Sequence, residues 1–154
     1  MKKILSLLIL CSFIIPSELS RADNLLKNPS FENTQNSQPL NWQNETWRGE
    51  AEFQISEQGR NSGKCVMISS ENGADAAWYT YVKVKPFSTY KLSGWIKTEN
   101  LKPTSGVGAM LNIHNIQSLK MPPVKDTTDF HHVEMTFETD ERDTLRINCL
   151  FGGW

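Results

Sequence analysis

An all-β domain, built as a sandwich or a barrel, is the fold class this sequence predicts. Three observations carry the prediction. Apolar residues recur at period two almost throughout, clusters of Gly, Pro, Asn, Asp and Ser interrupt the runs, and helical periodicity is absent after the opening apolar run. Short strands without helices close into sandwiches or barrels, because a sheet with one apolar face must cover it with another sheet.

The elements follow in chain order. "MKK" supplies a positive start, "ILSLLILCSFII" is an unbroken apolar run, and "SRA" ends at Ala22 with small residues at the −3 and −1 positions. This is the pattern of a secretory signal peptide over residues 1–22, with a single mature domain over 23–154. The run is shorter than the roughly 20 residues of a membrane span. A lipidated Cys11 is the alternative, against which stands the bulky Leu10 before it. Period-two patterning then predicts strands over 51–56, 64–70, 77–84, 90–97, 107–115, 131–138 and 144–151, punctuated by "GRNSGK", "SSENGAD", "KPFS", "TENLKPTSG", "LKMPPVKDTTD" and "TDERD".

Phase assigns the faces. Trp78, Thr80, Val82 and Val84 form one core-facing set, with Val107, Ala109, Leu111 and Ile113, with Val133, Met135 and Phe137, and with Leu145, Ile147 and Cys149. Tyr79, Tyr81, Met110, Asn112, His114, Arg146 and Asn148 then face outward. In "YKLSGWIKT" the outward set is Lys91, Ser93, Trp95 and Lys97, which puts an indole on a wet face. The connection between strands 90–97 and 107–115 is short enough for a hairpin, so Trp95 is expected beside Asn112 and His114. The stretch around Trp47 reads as loop-rich, with Trp47 lining a rim.

Composition excludes several function classes. A net charge of −1 with no basic cluster argues against nucleic acid or an anionic membrane as partner. G-x-S-x-G, H-E-x-x-H and phosphate-cradling glycine loops are absent. His131 and His132 are adjacent, so on a strand they face opposite sides. The carboxylates Glu138, Asp140, Glu141 and Asp143 fall in a turn rather than flanking a cleft, as glycosidic chemistry requires. Cys65 and Cys149 are either joined, as an exported protein permits, or two separate thiols. Asn44-Glu45-Thr46 is a glycosylation sequon, meaningful only in a eukaryotic secretory pathway.

An aromatic ring flanked by amides and charges on an open sheet suits a sugar. The C–H face of a pyranose stacks on the ring, and its hydroxyls use donors and acceptors from Asn, Arg and His. The alternative is an exposed aromatic covered by a loop or by lysine stems. "NLLKNPSFENTQNSQPLNWQ", "GRNSGKCVMISS", "AAWYTYVKVKPFSTYKLSGWIKTENL", "GAMLNI" and "TTDFHHVEMTFETD" occur in an order and spacing that resemble the carbohydrate-binding modules of families four and nine, with kin in sixteen and twenty-two.

The resemblance implies a β-sandwich jelly roll of the galactose-binding-like kind, non-catalytic and often appended to glycoside hydrolases. It makes Trp95 the expected stacking platform, with Asn112, His114 and Arg146 as hydroxyl-binding groups and Tyr79, Tyr81 and Trp47 beside them. Trp42 matches a structural tryptophan, and Phe130 stands where a core tryptophan is usual. Glu32 matches an acidic residue that helps hold a structural calcium, but the family's late aspartate and closing strand have no counterpart before the sequence ends at "FGGW". Either that strand is missing or the chain is the N-terminal piece of a longer protein. The expectation is a secreted, extracellular or periplasmic monomer that binds a polysaccharide such as β-glucan, xylan or mannan. The alternatives are a targeting module or fragment of an extracellular glycoside hydrolase, whose catalytic domain lies outside this chain, and a cell-surface protein-interaction domain.

Overall fold

Ten strands and one short 3-10 turn make up the fold in the computed structural model, which describes residues 23–102, 106–114, 116 and 118–152. The expected signal peptide, Cys11 and Trp154 lie outside the described residues. β1 (Thr34–Gln35) and β2 (Gln38–Pro39) form a small hairpin. β3 (Gln43–Gly49), β6 (Ala74–Lys83), β8 (Gly108–Ile113) and β10 (Thr144–Gly152) form an antiparallel sheet in the order β3-β6-β10-β8. β4 (Glu52–Ser56) pairs with β5 (Cys65–Ser69), and β7 (Thr89–Leu101) with β9 (Asp126–Glu138). The result is the all-β sandwich that the patterning predicts.

The core lies largely where phase placed it, although Met110 and Asn148, both expected outward, are buried at 3% and 1% exposure. Val82, Ile113, Leu145 and Ile147 of the four-stranded sheet pack with Leu92, Val133 and Phe137 of β7 and β9. Burying these side chains is worth about 1.5–3 kcal/mol each before entropy is counted. Trp78 is fully buried on the same side, donates its indole N–H to the Met67 carbonyl at 3.1 Å, and meets the edge of Phe53 at 5.3 Å. Gly94 of β7 faces Leu111 of β8, and a Cβ there would lie 2.8 Å from the leucine Cδ1. That missing side chain is what lets the two layers close.

The opening segment is fastened by Asn28. Its side-chain amide donates to the carbonyls of Asn33 (2.9 Å) and Leu40 (3.0 Å), and its own carbonyl accepts the Trp42 indole N–H at 3.2 Å. Trp42, nearly buried and 4.9 Å from the Phe31 ring, is structural as expected. Cys65 and Cys149 are free thiols, so the disulfide is not made. Loss of water pushes the Cys149 thiol up to about 12, which leaves it unreactive.

Three expectations need correction. Residues 43–49 form strand β3 rather than a loop; "QNETWRG" carries polar residues on both faces, so period two is silent there. β9 begins at Asp126, within what reads as a turn-rich connection. Most consequentially, β7 does not form a hairpin with β8: it pairs with β9 in register Trp95↔His132, while β8 pairs with β10. Connection length permits a hairpin but does not impose one, and β7 and β8 instead pack face to face across the core.

Candidate functional site

The outer face of the four-stranded sheet gathers the chemistry. Register aligns Gln43, Tyr79, Asn148 and Asn112 in one row across β3, β6, β10 and β8. Tyr81 and Arg146 are directly opposite each other in the ladder, one step along in the direction of His114. Glu45 lies two residues beyond Gln43 on the same face of β3, and a bulge between Thr46 and Arg48 follows it. The bulge re-aims Trp47, whose ring stacks on His114 at 5.5 Å and 8°. Trp47 comes from β3 at one edge of the sheet and His114 from just past the end of β8 at the other. Three strand spacings in a flat sheet span roughly 14 Å, so the two side chains reach toward each other over β6 and β10.

Arg146 is the centre of this cluster. Its guanidinium lies 3.7 Å from the Tyr79 ring centroid and 5.3 Å from that of Trp47. Nη2 donates to Glu45 Oε2 at 2.6 Å and Nε donates to Asn148 Oδ1 at 3.1 Å. Asn148, only 1% exposed, passes the network on: its Nδ2 donates to Asn112 Oδ1 at 3.1 Å and sits 3.4 Å from His114 Nδ1. Burying this asparagine is tolerable because each of its polar atoms has a partner. His114 is held below the ordinary histidine range, chiefly by loss of water and then by the Arg146 charge, with Glu45 pulling weakly the other way. Tyr79 donates its hydroxyl to Gln43 Oε1 at 2.6 Å, and its ring meets Tyr81 edge-on at 5.9 Å. Tyr81 is 62% exposed, the most open aromatic of the face. A groove of about 190 Å³ runs beside it, lined by Asn41, Trp42, Gln43, Tyr79, Thr80 and Tyr81.

Asn112, His114, Arg146, Tyr79, Tyr81 and Trp47 are therefore brought together; Trp95 is not. Because β7 pairs with β9, Trp95 lies on the outside of the opposite layer, away from Asn112 and His114. There Arg60 Cζ sits 3.8 Å over its ring and His132 lies 5.0 Å away. The indole serves as a base for the Arg60 turn between β4 and β5, which covers part of the surface a sugar would need. Sequence reading missed Glu45 and Gln43. Their signal was the alternation Gln43, Glu45, Trp47, legible only once 43–49 is taken as a strand.

Glu32 has a different occupation. Its Oε1 accepts the Lys64 amide at 2.9 Å, and Lys64 Nζ lies 3.5 Å from its carbonyl oxygen. Calcium asks for six to eight oxygens. Among the described residues no three His, Cys, Asp or Glu side chains gather to hold a metal. Glu32 braces the 59–64 turn through the Lys64 amide.

The family model for a carbohydrate binding domain of the 4/9 type covers residues 23–148. No curated protein matches the chain.

Proposed function

Because the chain belongs to the carbohydrate binding domain family of the 4/9 type, we propose that the outer face of the β3-β6-β10-β8 sheet is where it holds a polysaccharide. The convergence of Trp47, Tyr79, Tyr81, Asn112, His114 and Arg146 from four strands onto that face carries the reading. Tyr81 and Trp47 offer ring surface to the C–H face of a pyranose, while Arg146, Asn112, His114 and Gln43 offer hydrogen bonds to its oxygens. The chain acts by binding alone; Glu45, the carboxylate of the cluster, is engaged as the partner of Arg146. The positive start, apolar run and small-residue cleavage pattern of residues 1–22 support export. β-Glucan, xylan and mannan are the ligand classes to test. Affinity is modest, because an open face buries little area and displaced water offsets much of the gain.

Calorimetric titration of the purified protein against soluble β-glucan, xylan and mannan tests this. Saturable binding to at least one is expected. Arg146→Ala or Tyr81→Ala should weaken it about tenfold, the loss of one good contact, and Trp95→Ala should leave it unchanged. A folded protein that binds none of the three, or that loses binding only with Trp95→Ala, overturns the assignment to this face.

A further inference from the structure

Resting on that reading, the hydrogen-bond polarity of the face says which sugar oxygens it recognises. Arg146 is a donor-only group, so the Asn148 atom that meets its Nε must be the carbonyl oxygen. That fixes the other end of Asn148 as the amide nitrogen, a donor. Asn112 therefore presents its own Oδ1 inward to Asn148, and His114 presents Nδ1 as an acceptor. The donor–acceptor order that Arg146 sets at Asn148 passes from β10 to β8, while Glu45 on β3 holds the guanidinium in place.

Two groups emerge at the β8 end. The inward Oδ1 leaves the Asn112 Nδ2 hydrogens turned away from Asn148. The acceptor role of Nδ1 puts the ring proton of neutral His114 on Nε2. Both half-exposed residues, Asn112 on β8 and His114 just past its end, thus offer donors and no side-chain acceptor to an incoming ligand. Hydroxyls are indifferent partners for such a pair, since each brings a proton that must find its own acceptor. An oxygen that only accepts fits it fully. A carboxylate meets that condition but would meet the Glu45 charge that already acts on His114, with the Arg146 charge engaged at 2.6 Å.

We propose that Asn112 and His114 form a donor pair that reads an acetyl carbonyl on the bound glycan, carried either as an ester on a sugar hydroxyl or as the amide of an amino sugar.

The test compares matched ligands by titration calorimetry. One pair is xylo-oligosaccharides with their O-acetyl groups and after mild alkaline deacetylation; the other is a chitooligosaccharide and its deacetylated form. The acetylated member of at least one pair should bind about three- to tenfold tighter, the range of one net hydrogen bond, and the pair that responds identifies ester or amide. Asn112→Asp keeps the acceptor toward Asn148 but removes the free N–H, and His114→Phe keeps a ring against Trp47 but removes Nε2–H. In both the ratio should fall toward one. Equal affinities within both pairs in the unmodified protein, a ratio that survives both substitutions, or tighter binding of an oligouronate overturns this inference while leaving sugar binding on the face intact. Failure to bind any of these ligands or β-glucan, xylan or mannan overturns the binding face itself, and this inference with it.

Discussion

At His114, burial, the Arg146 charge and the Asn148 amide all oppose a second ring proton. The folded protein therefore protonates this ring at lower pH than the unfolded chain, whose histidine titrates near 6.5. With the folded value depressed, the stability this contributes is fully present above about pH 6.5. It is lost as pH falls through the depressed value, because the unfolded state takes up the proton first. The melting midpoint should thus decline on going from neutral to mildly acidic buffer. His114→Phe should flatten that part of the profile while keeping the ring stack. An unaltered pH profile in the variant would mean that His114 is freely hydrated. Glu32 makes a second residue-scale case. With Lys64 Nζ 3.5 Å from its carbonyl oxygen, chelator treatment should leave the melting midpoint unchanged, and a drop on removing calcium would show that a cation does bind there.

Among the elements, the contact between β7 and β8 is the most exacting. Gly94 gives Leu111 the room its Cδ1 fills, so Gly94→Val should destabilise by about 1–3 kcal/mol, the usual result of overfilling a packed core. Leu111→Ala in the same chain should recover part of that loss, which chemical denaturation would measure. If the leucine change only adds to the damage, the two layers are not limited by this contact. The same strands show what the sequence discloses and what it withholds. Alternation in "WYTYVKVK" and "TLRINCLF" revealed both strands and both faces, because apolar and polar residues take turns there. "QNETWRG" has no such contrast, and β3 was invisible with it. Pairing was less legible still. Whether β7 meets β8 or β9 depends on packing between distant segments, so the outer residues of β6, β8 and β10 could be assigned their face while Trp95 was placed on the wrong sheet.

For the molecule as a whole, net charge and site charge agree. The chain carries a formal charge of −1, and Arg146, the cation at the centre of the cluster, has Glu45 against it at 2.6 Å. Recognition then depends on rings and hydrogen bonds rather than on a field, and screening has little to act on. Raising salt from about 0.05 M to about 0.5 M, which shortens the Debye length several-fold, should leave glycan affinity essentially unchanged. A marked weakening would show that an unpaired charge takes part, and would direct attention to acidic ligands.

The relay from Glu45 through Arg146 and Asn148 to Asn112 and His114 also bears on how this protein could change over time. A chain of donors and acceptors with one permitted direction ties Glu45 on β3 to Asn112 on β8 through Arg146 and Asn148 of β10. Substituting Glu45 releases Arg146, which releases Asn148, and the amide of Asn112 is then free to turn over. Ligand preference at one edge of the sheet thus becomes epistatic with a carboxylate at the other. A scan that alters one position at a time will credit Glu45 with a contact it does not make, whereas combined variants of Glu45 and Asn112 should depart from additivity. Drift along this face is expected to proceed by linked replacements, with the glycan it accepts shifting in steps rather than by degrees.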